Sequence, residues 1–271
     1  MQKEELELEL LLLAVYRLSG FDFRQYMNSS IMRRVQNRLR LEQLPGISRL
    51  TERVIEDETL LKKLLDDFSI NVTEMFRDPG FFASFRKNVI PHLKGLPQIR
   101  IWHAGCSTGE EAYSMAILLK EEGLADKVKI YATDMSEKVL QAAEKGIIPL
   151  SKMQDYTKNY LQAGGVRSFS EYYTADSHFA TLDPSLREKI IFAQHNLVTD
   201  GSFNEFHVVI CRNVLIYFNQ ELQQHVLRLI DGSLSQGGFL GLGSKEAIRT
   251  ESHPHFVEFD ASEKIYRKML K

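Results

Sequence analysis

A chain of 271 residues, 44% hydrophobic and 26% charged, is long enough for one large α/β domain and a smaller companion, and its composition excludes a disordered or fibrous protein. A formal net charge of −2 excludes a general pull toward nucleic acid or an anionic membrane, so any polyanion contact has to be local. Two cysteines, Cys106 and Cys211, are too few for a disulfide framework and lack zinc-ligand spacing, which fits a reducing cytoplasm.

Up to about Leu93 the pattern is helical, with amphipathic helices predicted over Glu4–Ser19, Phe23–Glu42, Ile47–Asp57, Thr59–Phe68 and Pro79–Leu93. Within the first, the apolar run Leu10–Val15 follows Glu4, Glu5, Glu7 and Glu9, so neither a signal peptide nor a membrane span is expected. In the second, Arg24, Arg33, Arg34, Arg38 and Arg40 occur with no acidic residue between Asp22 and Glu42. Arg33, Arg34 and Arg38 fall together at helical spacing beside an Ile31, Val35 and Leu39 seam, a positive face that either meets an acidic partner or is simply solvated.

Gly95 and Pro97 then break the chain, and strands alternate with helices, which signals a parallel sheet with crossovers. Strands are predicted at Ile99–His103, Val128–Thr133, Ile190–Ala193, Phe206–Cys211 and Phe239–Gly243, with Ile265–Lys268 as a last edge strand. The expected organisation is a helical domain over 1–93 and an α/β domain over 94–271. Inside the latter the alternation fails around Tyr160, Gly164, Gly165, Tyr172 and Tyr173, so residues 155–192 read as an inserted, partly antiparallel subdomain overhanging the carboxyl edge of the sheet.

The stretch Ile99–Leu119 carries the chemistry, as a buried strand, a glycine turn at Gly105 and Gly109, and a helix with an apolar stripe. The next strand ends on Asp134, well placed to accept hydrogen bonds from two ribose hydroxyls. The glycine spacing departs from the dinucleotide fingerprint, and Glu110 and Glu111 in the first helical turn would repel a pyrophosphate. Those carboxylates either cap the helix in solvent or face a cofactor with a cationic amino-acid arm, and S-adenosyl-L-methionine is such a molecule. His103, His195, His253 and His255 form no metal-ligand constellation; each reads as a surface or satisfied histidine, and no metal is predicted.

Five ordered motifs resemble the CheR-type methyltransferases, which esterify glutamate side chains of chemoreceptors: NVTEMFRD (Asn71–Asp78), WHAGCSTGEEAYSMA (Trp102–Ala116), YATDMSEKVLQAAEKG (Tyr131–Gly146), HNL (His195–Leu197) and CRNVLIYF (Cys211–Phe218). The resemblance covers nearly the whole chain. It implies a doubly wound Rossmann-like methyltransferase sheet, an all-helical N-terminal lobe, a small inserted β-subdomain, and S-adenosyl-L-homocysteine as product. It also implies that Asn71, Thr73 and Arg77 contact the cofactor, and that Glu111 and Asp134 hold its amino-acid and ribose ends. Asn196 and Leu197 would flank the adenine, while Arg212 and Asn213 would line the site from the fourth strand. The implied partner is the helical cytoplasmic domain of a chemoreceptor, met by Arg33, Arg34 and Arg38, with a monomer as the default state. Ala112 stands where many members carry proline and Met75 where an aromatic is usual; both keep the local character.

Methyl transfer from a sulfonium is an in-line displacement, so the protein has chiefly to align the nucleophile and exclude water. A glutamate carboxylate is already anionic at neutral pH, which explains a motif set without a catalytic His or Cys. Arg77 and Tyr217 are therefore assigned to orient the incoming carboxylate. Two other classes share these features: a methyltransferase of the same scaffold acting on nucleic acid, a small molecule or another protein, and an inactive receptor-binding scaffold. CRNVLIYF lacks the paired prolines of amino-directed nucleic-acid enzymes, and intact Asn71, Arg77, Glu111 and Asp134 argue for activity.

Overall fold

The computed structural model describes residues 3–69, 72–248 and 252–269, and divides into two compact units, Met1–Ile70 with Ile216–Val226, and Asn71–Leu215 with Leu227–Lys271. The first unit holds α1 (Lys3–Ser19), α2 (Asn28–Leu41), α3 (Ile47–Glu56) and α4 (Glu58–Phe68). α1 packs on α3 and α2 on α4, burying Leu11, Val15, Val35, Leu50 and Leu64 completely. Asp57 caps α4 by accepting from the Thr59 and Leu60 amides.

The second helix starts five residues later than its pattern suggests. Tyr26 forms an antiparallel bridge with Phe218, the Met27 amide donates to the Tyr217 carbonyl at 2.8 Å, and the Asn219 amide donates to Gln25 at 2.9 Å. Residues around Tyr26 are thus claimed by extended pairing before the helix can form, while Phe23 and Tyr26 go to the core.

The second unit begins with the predicted helix over Pro79–Leu93, which is divided into α5 (Pro79–Ser84), a π-turn (Phe85–Val89) and α6 (Ile90–Leu93). Pro91 would clash with the carbonyl four residues back in a regular helix, and the wider turn relieves this. Seven strands follow in the order β6–β2–β1–β7–β8–β10–β9: β1 (Ile99–Ala104), β2 (Val128–Asp134), β6 (Ile190–Gln194), β7 (Phe206–Cys211), β8 (Leu234–Leu242), β9 (Phe256–Asp260) and β10 (Ile265–Lys268). The five strands from β6 to β8 are parallel, and β10 and β9 add antiparallel. Ile99, Ile101 and Trp102 are wholly buried, as expected of a strand covered on both faces. α7 (Glu110–Glu121) and α8 (Glu137–Lys145) follow β1 and β2, and α11 (Gln220–Ser233) precedes β8.

Two strand expectations need correction. Ile265–Lys268 is not the edge, because Phe256–Asp260 pairs outside it as a hairpin. β8 also starts at Leu234, five residues before the predicted Phe239, and passes through Gly237 at φ +75° beside a register shift.

Between β2 and β6 lie β3 (Ile147–Pro149), α9 (Met153–Gln162), β4 (Tyr173–Ala175), β5 (Phe179–Leu182) and α10 (Pro184–Arg187). The three short strands form a separate antiparallel sheet, β3–β5–β4, which draws one strand from before residue 155. Ile190–Gln194, partly within 155–192, belongs instead to the large sheet.

Candidate active site

β1 hands over to α7 through a turn held by its neighbour strand. The amides of Gly105 and Cys106 both donate to the Thr133 carbonyl, at 2.8 and 2.9 Å. Gly105 sits at φ +78°, and a Cβ there would lie 2.6 Å from Val214 Cγ2, so backbone conformation and space both require glycine. Ser107, itself left-handed at φ +51°, donates its amide to Asp134 Oδ2 at 2.9 Å, and Ser136 donates to Oδ1 at 3.0 Å. Burial raises the Asp134 pKa, against the pull of the Ser136, Ser107 and Met135 amides. The carboxylate is pinned on one side by backbone, and its remaining lone pairs stay available to hydroxyl donors.

At the head of α7 the two adjacent glutamates take different tasks. Glu110 is buried, its Oε2 accepts from Thr108 Oγ1 at 2.6 Å, and its carbonyl accepts from Ser114 Oγ at 2.7 Å. Glu111 instead links two partners, with Oε1 3.0 Å from His103 Nδ1 and Oε2 accepting from Arg212 Nη1 at 3.0 Å. Burial alone would raise the Glu111 pKa; the His103 hydrogen bond and the Arg212 charge outweigh it and hold the carboxyl below the usual range.

Arg212 is the hub of this network. Its side chain is only 1% exposed, yet it donates to Glu111, to Asp78 Oδ2 at 2.7 Å and to the Arg77 carbonyl at 3.2 Å, with its guanidinium 4.3 Å from the Phe81 ring centroid. Its Nε has no partner, and neither has Nε2 of the wholly buried His103. His103 is therefore not the surface or satisfied histidine expected. The sequence signal was its place inside a strand buried on both faces.

The segment bearing Arg77 is backbone-strained and tied down. Phe76 and Asp78 both adopt φ +52°, the Phe76 amide donates to Ser114 Oγ at 2.9 Å, and Arg77 Nη1 reaches the Val72 carbonyl at 3.0 Å. Thr73 lies partly exposed in the same stretch, while Asn71 falls outside the described residues. At the far side of the rim the His195 amide donates to the Asp134 carbonyl at 3.1 Å. Asn196 accepts from the Val198 amide, and Leu197 is buried next to it.

Beyond β7, Asn213 sits at φ +61° and its amide is held by Glu246, a residue with no pattern to mark it in the sequence. The buried Glu246 carboxylate accepts from Gly243 at 2.7 Å and from Asn213 and Val214 at 2.9 Å each, joining the turns after β8 and β7. Gly105, Arg77, Glu111, Asp134, Asn196, Leu197, Arg212 and Asn213 all belong to the second unit.

Tyr217 belongs to the first unit, where its ring centroid lies 6.0 Å from the Arg34 guanidinium. Arg33, Arg34, Gln36, Asn37, Arg40 and Asp67 line an open groove of about 520 Å³. Arg38 is not part of a free positive face: it is buried, donating from Nε to Asp67 at 2.7 Å and from Nη1 to Glu42 at 3.2 Å. Among the described residues no group of His, Cys, Asp and Glu could hold a metal ion, and no helix is long and apolar enough to cross a membrane.

A five-strand parallel sheet with crossover helices, an acid closing its second strand and a glycine turn closing its first, defines the Rossmann-like methyltransferase class. Residues 6–69 match the CheR methyltransferase all-alpha domain and residues 71–265 the CheR methyltransferase SAM binding domain, so the chain belongs to the CheR methyltransferase family. It is 46% identical over 265 residues to a Pseudomonas putida protein named "Putative methyltransferase Cher3", with 97% of each chain covered. It is 30% identical over 269 residues to the chemotaxis protein methyltransferase of Borreliella burgdorferi, covering 93% of this chain and 91% of that one. With chemotaxis protein methyltransferase 1 of Pseudomonas aeruginosa it shares 30% identity over 241 residues and 83% of each chain. The protein is thus a methyltransferase enzyme with an S-adenosyl-L-methionine-binding domain.

Proposed function

We propose that the protein esterifies glutamate side chains on the cytoplasmic helical domain of chemoreceptors, using S-adenosyl-L-methionine and releasing S-adenosyl-L-homocysteine. The observation that carries this reading is the acceptor-rich rim, where Asp134 and Glu111 offer carboxylate oxygens around a turn too tight for any side chain at Gly105. Acceptors suit the ribose hydroxyls and the ammonium of this cofactor and oppose a pyrophosphate. Arg212, with an unpartnered Nε, balances one of two neighbouring carboxylates and leaves the cluster open to a further cation. Asn71, Thr73 and Arg77 contact the cofactor, Asn196 and Leu197 flank its adenine, and Arg212 and Asn213 line the site.

The transfer needs little from the protein in protons. An acceptor carboxylate oxygen attacks the methyl carbon as the carbon–sulfur bond breaks, and the bonding pair leaves on sulfur. Arg77 and Tyr217 orient the incoming carboxylate, Arg77 by charge-assisted hydrogen bonds and Tyr217 through its hydroxyl. The names of the relatives support a receptor substrate, and the exposed Arg33 and Arg40 with half-exposed Arg34 supply positive charge for an acidic helical bundle. The enzyme acts as a cytoplasmic monomer, without nucleic acid or membrane insertion.

The test is incubation with methyl-labelled cofactor and receptor-bearing membranes, followed by alkaline treatment. A carboxyl methyl ester releases volatile labelled methanol. Label that stays on protein after alkali, or moves to a small molecule, would replace this reading with an N-methyl or small-molecule one.

A further inference from the structure

The backbone that carries Arg77 is gripped at three successive residues. Asn159 Nδ2 donates to the Met75 carbonyl at 3.1 Å, Ser114 Oγ accepts from the Phe76 amide at 2.9 Å, and Arg212 Nη1 donates to the Arg77 carbonyl at 3.2 Å. Phe76 and Asp78 are left-handed, a conformation that side-chain-bearing residues hold only where their surroundings over-determine it. Ser114 and Arg212 belong to the α7 and β7 framework. Asn159 does not: it lies on α9, inside the segment that also forms the small β3–β5–β4 sheet.

That segment holds the Phe76 side chain as well as the Met75 carbonyl before it. The Phe76 ring meets Tyr160 edge-on at 5.3 Å and Phe169 at 6.2 Å. Tyr160 in turn is fixed, since its hydroxyl and that of Tyr172 both donate to the fully buried Glu121 carboxylate on α7. Gly165 lies flat against the Tyr160 ring, where a Cβ would come within 2.2 Å. α9 is therefore a braced element, and Asn159 is the point at which it takes hold of the Arg77 backbone.

We infer that Asn159 is a positioning residue for methyl transfer, acting through the Met75–Arg77 backbone to set where the Arg77 guanidinium starts. The inference rests on the proposed role of Arg77 in orienting the acceptor carboxylate. Near-attack geometry is steep in distance, so loss of one of three grips appears in turnover more than in receptor affinity.

The experiment compares Asn159→Ala and the isosteric Asn159→Asp, which sets an acceptor against the Met75 carbonyl, with Thr157→Val as control. Thr157 sits on the same helix and bonds only back to Met153, so its variant reports loss of α9 stability alone. Expected in both Asn159 variants are a kcat about tenfold lower, a receptor KM within about twofold, and faster hydrogen exchange at the Phe76 and Arg77 amides. In an Arg77→Ala background Asn159→Ala should lower kcat by less than about twofold, because the two act on one path. Equal losses in both backgrounds, or unchanged exchange at Phe76, would overturn the clamp. Full turnover in Arg77→Ala alone would instead overturn the role given to Arg77, so the two failures are read separately.

Discussion

Arg212→Met tests whether the ionic hub is what the site's electrostatics depend on. Methionine keeps the length of the aliphatic stem but removes every polar link of the guanidinium, together with its charge over the Phe81 ring. The Asp78 end is 40% exposed, so its pair contributes under about 1 kcal/mol. The Glu111 end is the costly one: its side chain is 17% exposed, and removing one partner of a buried pair typically costs about 3–5 kcal/mol. Glu111 keeps His103, which puts the expected loss near the low end, about 3 kcal/mol, or a melting temperature lower by about 6–12 °C.

The pH dependence gives this prediction its sign. Glu111 has a folded-state pKa below its ordinary value of 4.5, so the stability it contributes is present above that value and is lost as pH falls through the folded pKa. Without Arg212 the burial that opposes ionisation is less compensated, and the depression shrinks. Calorimetry should therefore find the gap between wild type and Arg212→Met widest at neutral pH and narrowing once pH drops below 4.5. A variant within about 0.5 kcal/mol of wild type at neutral pH, or a gap that widens in acid, would refute the reasoning.

Asp134→Asn should reduce affinity for S-adenosyl-L-homocysteine by about tenfold or more in titration calorimetry, since an amide supplies a donor where two hydroxyl donors and the Ser107 amide need acceptors. In wild type the burial-raised Asp134 pKa should make the same affinity fall on acidification at a pH above 3.8, and a flat profile would remove Asp134 from the site. Joint reversal of Arg33 and Arg34 to Glu should weaken receptor methylation more at low salt than at high salt. Arg38→Glu, by contrast, should lower stability at any salt, because it opposes Asp67 and Glu42 in a buried setting.

What the sequence made legible was whatever depends on local order along the chain. The β1 turn, the acid ending β2 and the alternation of strands are all written within a few residues, and they appear where expected. Arg38 shows the limit: helical spacing put it on the same face as Arg33 and Arg34, but an acid on another helix, Asp67, claims its guanidinium. Glu246 was invisible for the same reason, since nothing in GLGSKE announces that one carboxylate will accept three amides from two separate turns. The segment 257–260 did carry a strand pattern, alternating apolar and acidic residues, but a short edge hairpin after an irregular stretch gave it no flanking periodicity.

The distribution of backbone strain ties these long-range partners to the chemistry. Among the described residues six other than glycine are left-handed; Gln43 follows a helix end and Lys264 lies in the β9–β10 hairpin, where such conformations are ordinary. The other four, Phe76, Asp78, Ser107 and Asn213, surround the candidate site, and each is held by a side chain from a different element. Phe76 is bonded to Ser114, Asp78 to Arg212, Ser107 to Asp134 and Asn213 to Glu246. At about 1–3 kcal/mol each, such strain persists only against fixed partners of comparable strength, and a hydrogen bond to a charged group, about 1.5–3 kcal/mol, is of that size. Three of the four partners are charged. The proposed transfer to a carboxylate needs no general base but still requires reacting groups fixed to a fraction of an ångström, and in this protein the charged side chains at the rim hold the loop backbone in place.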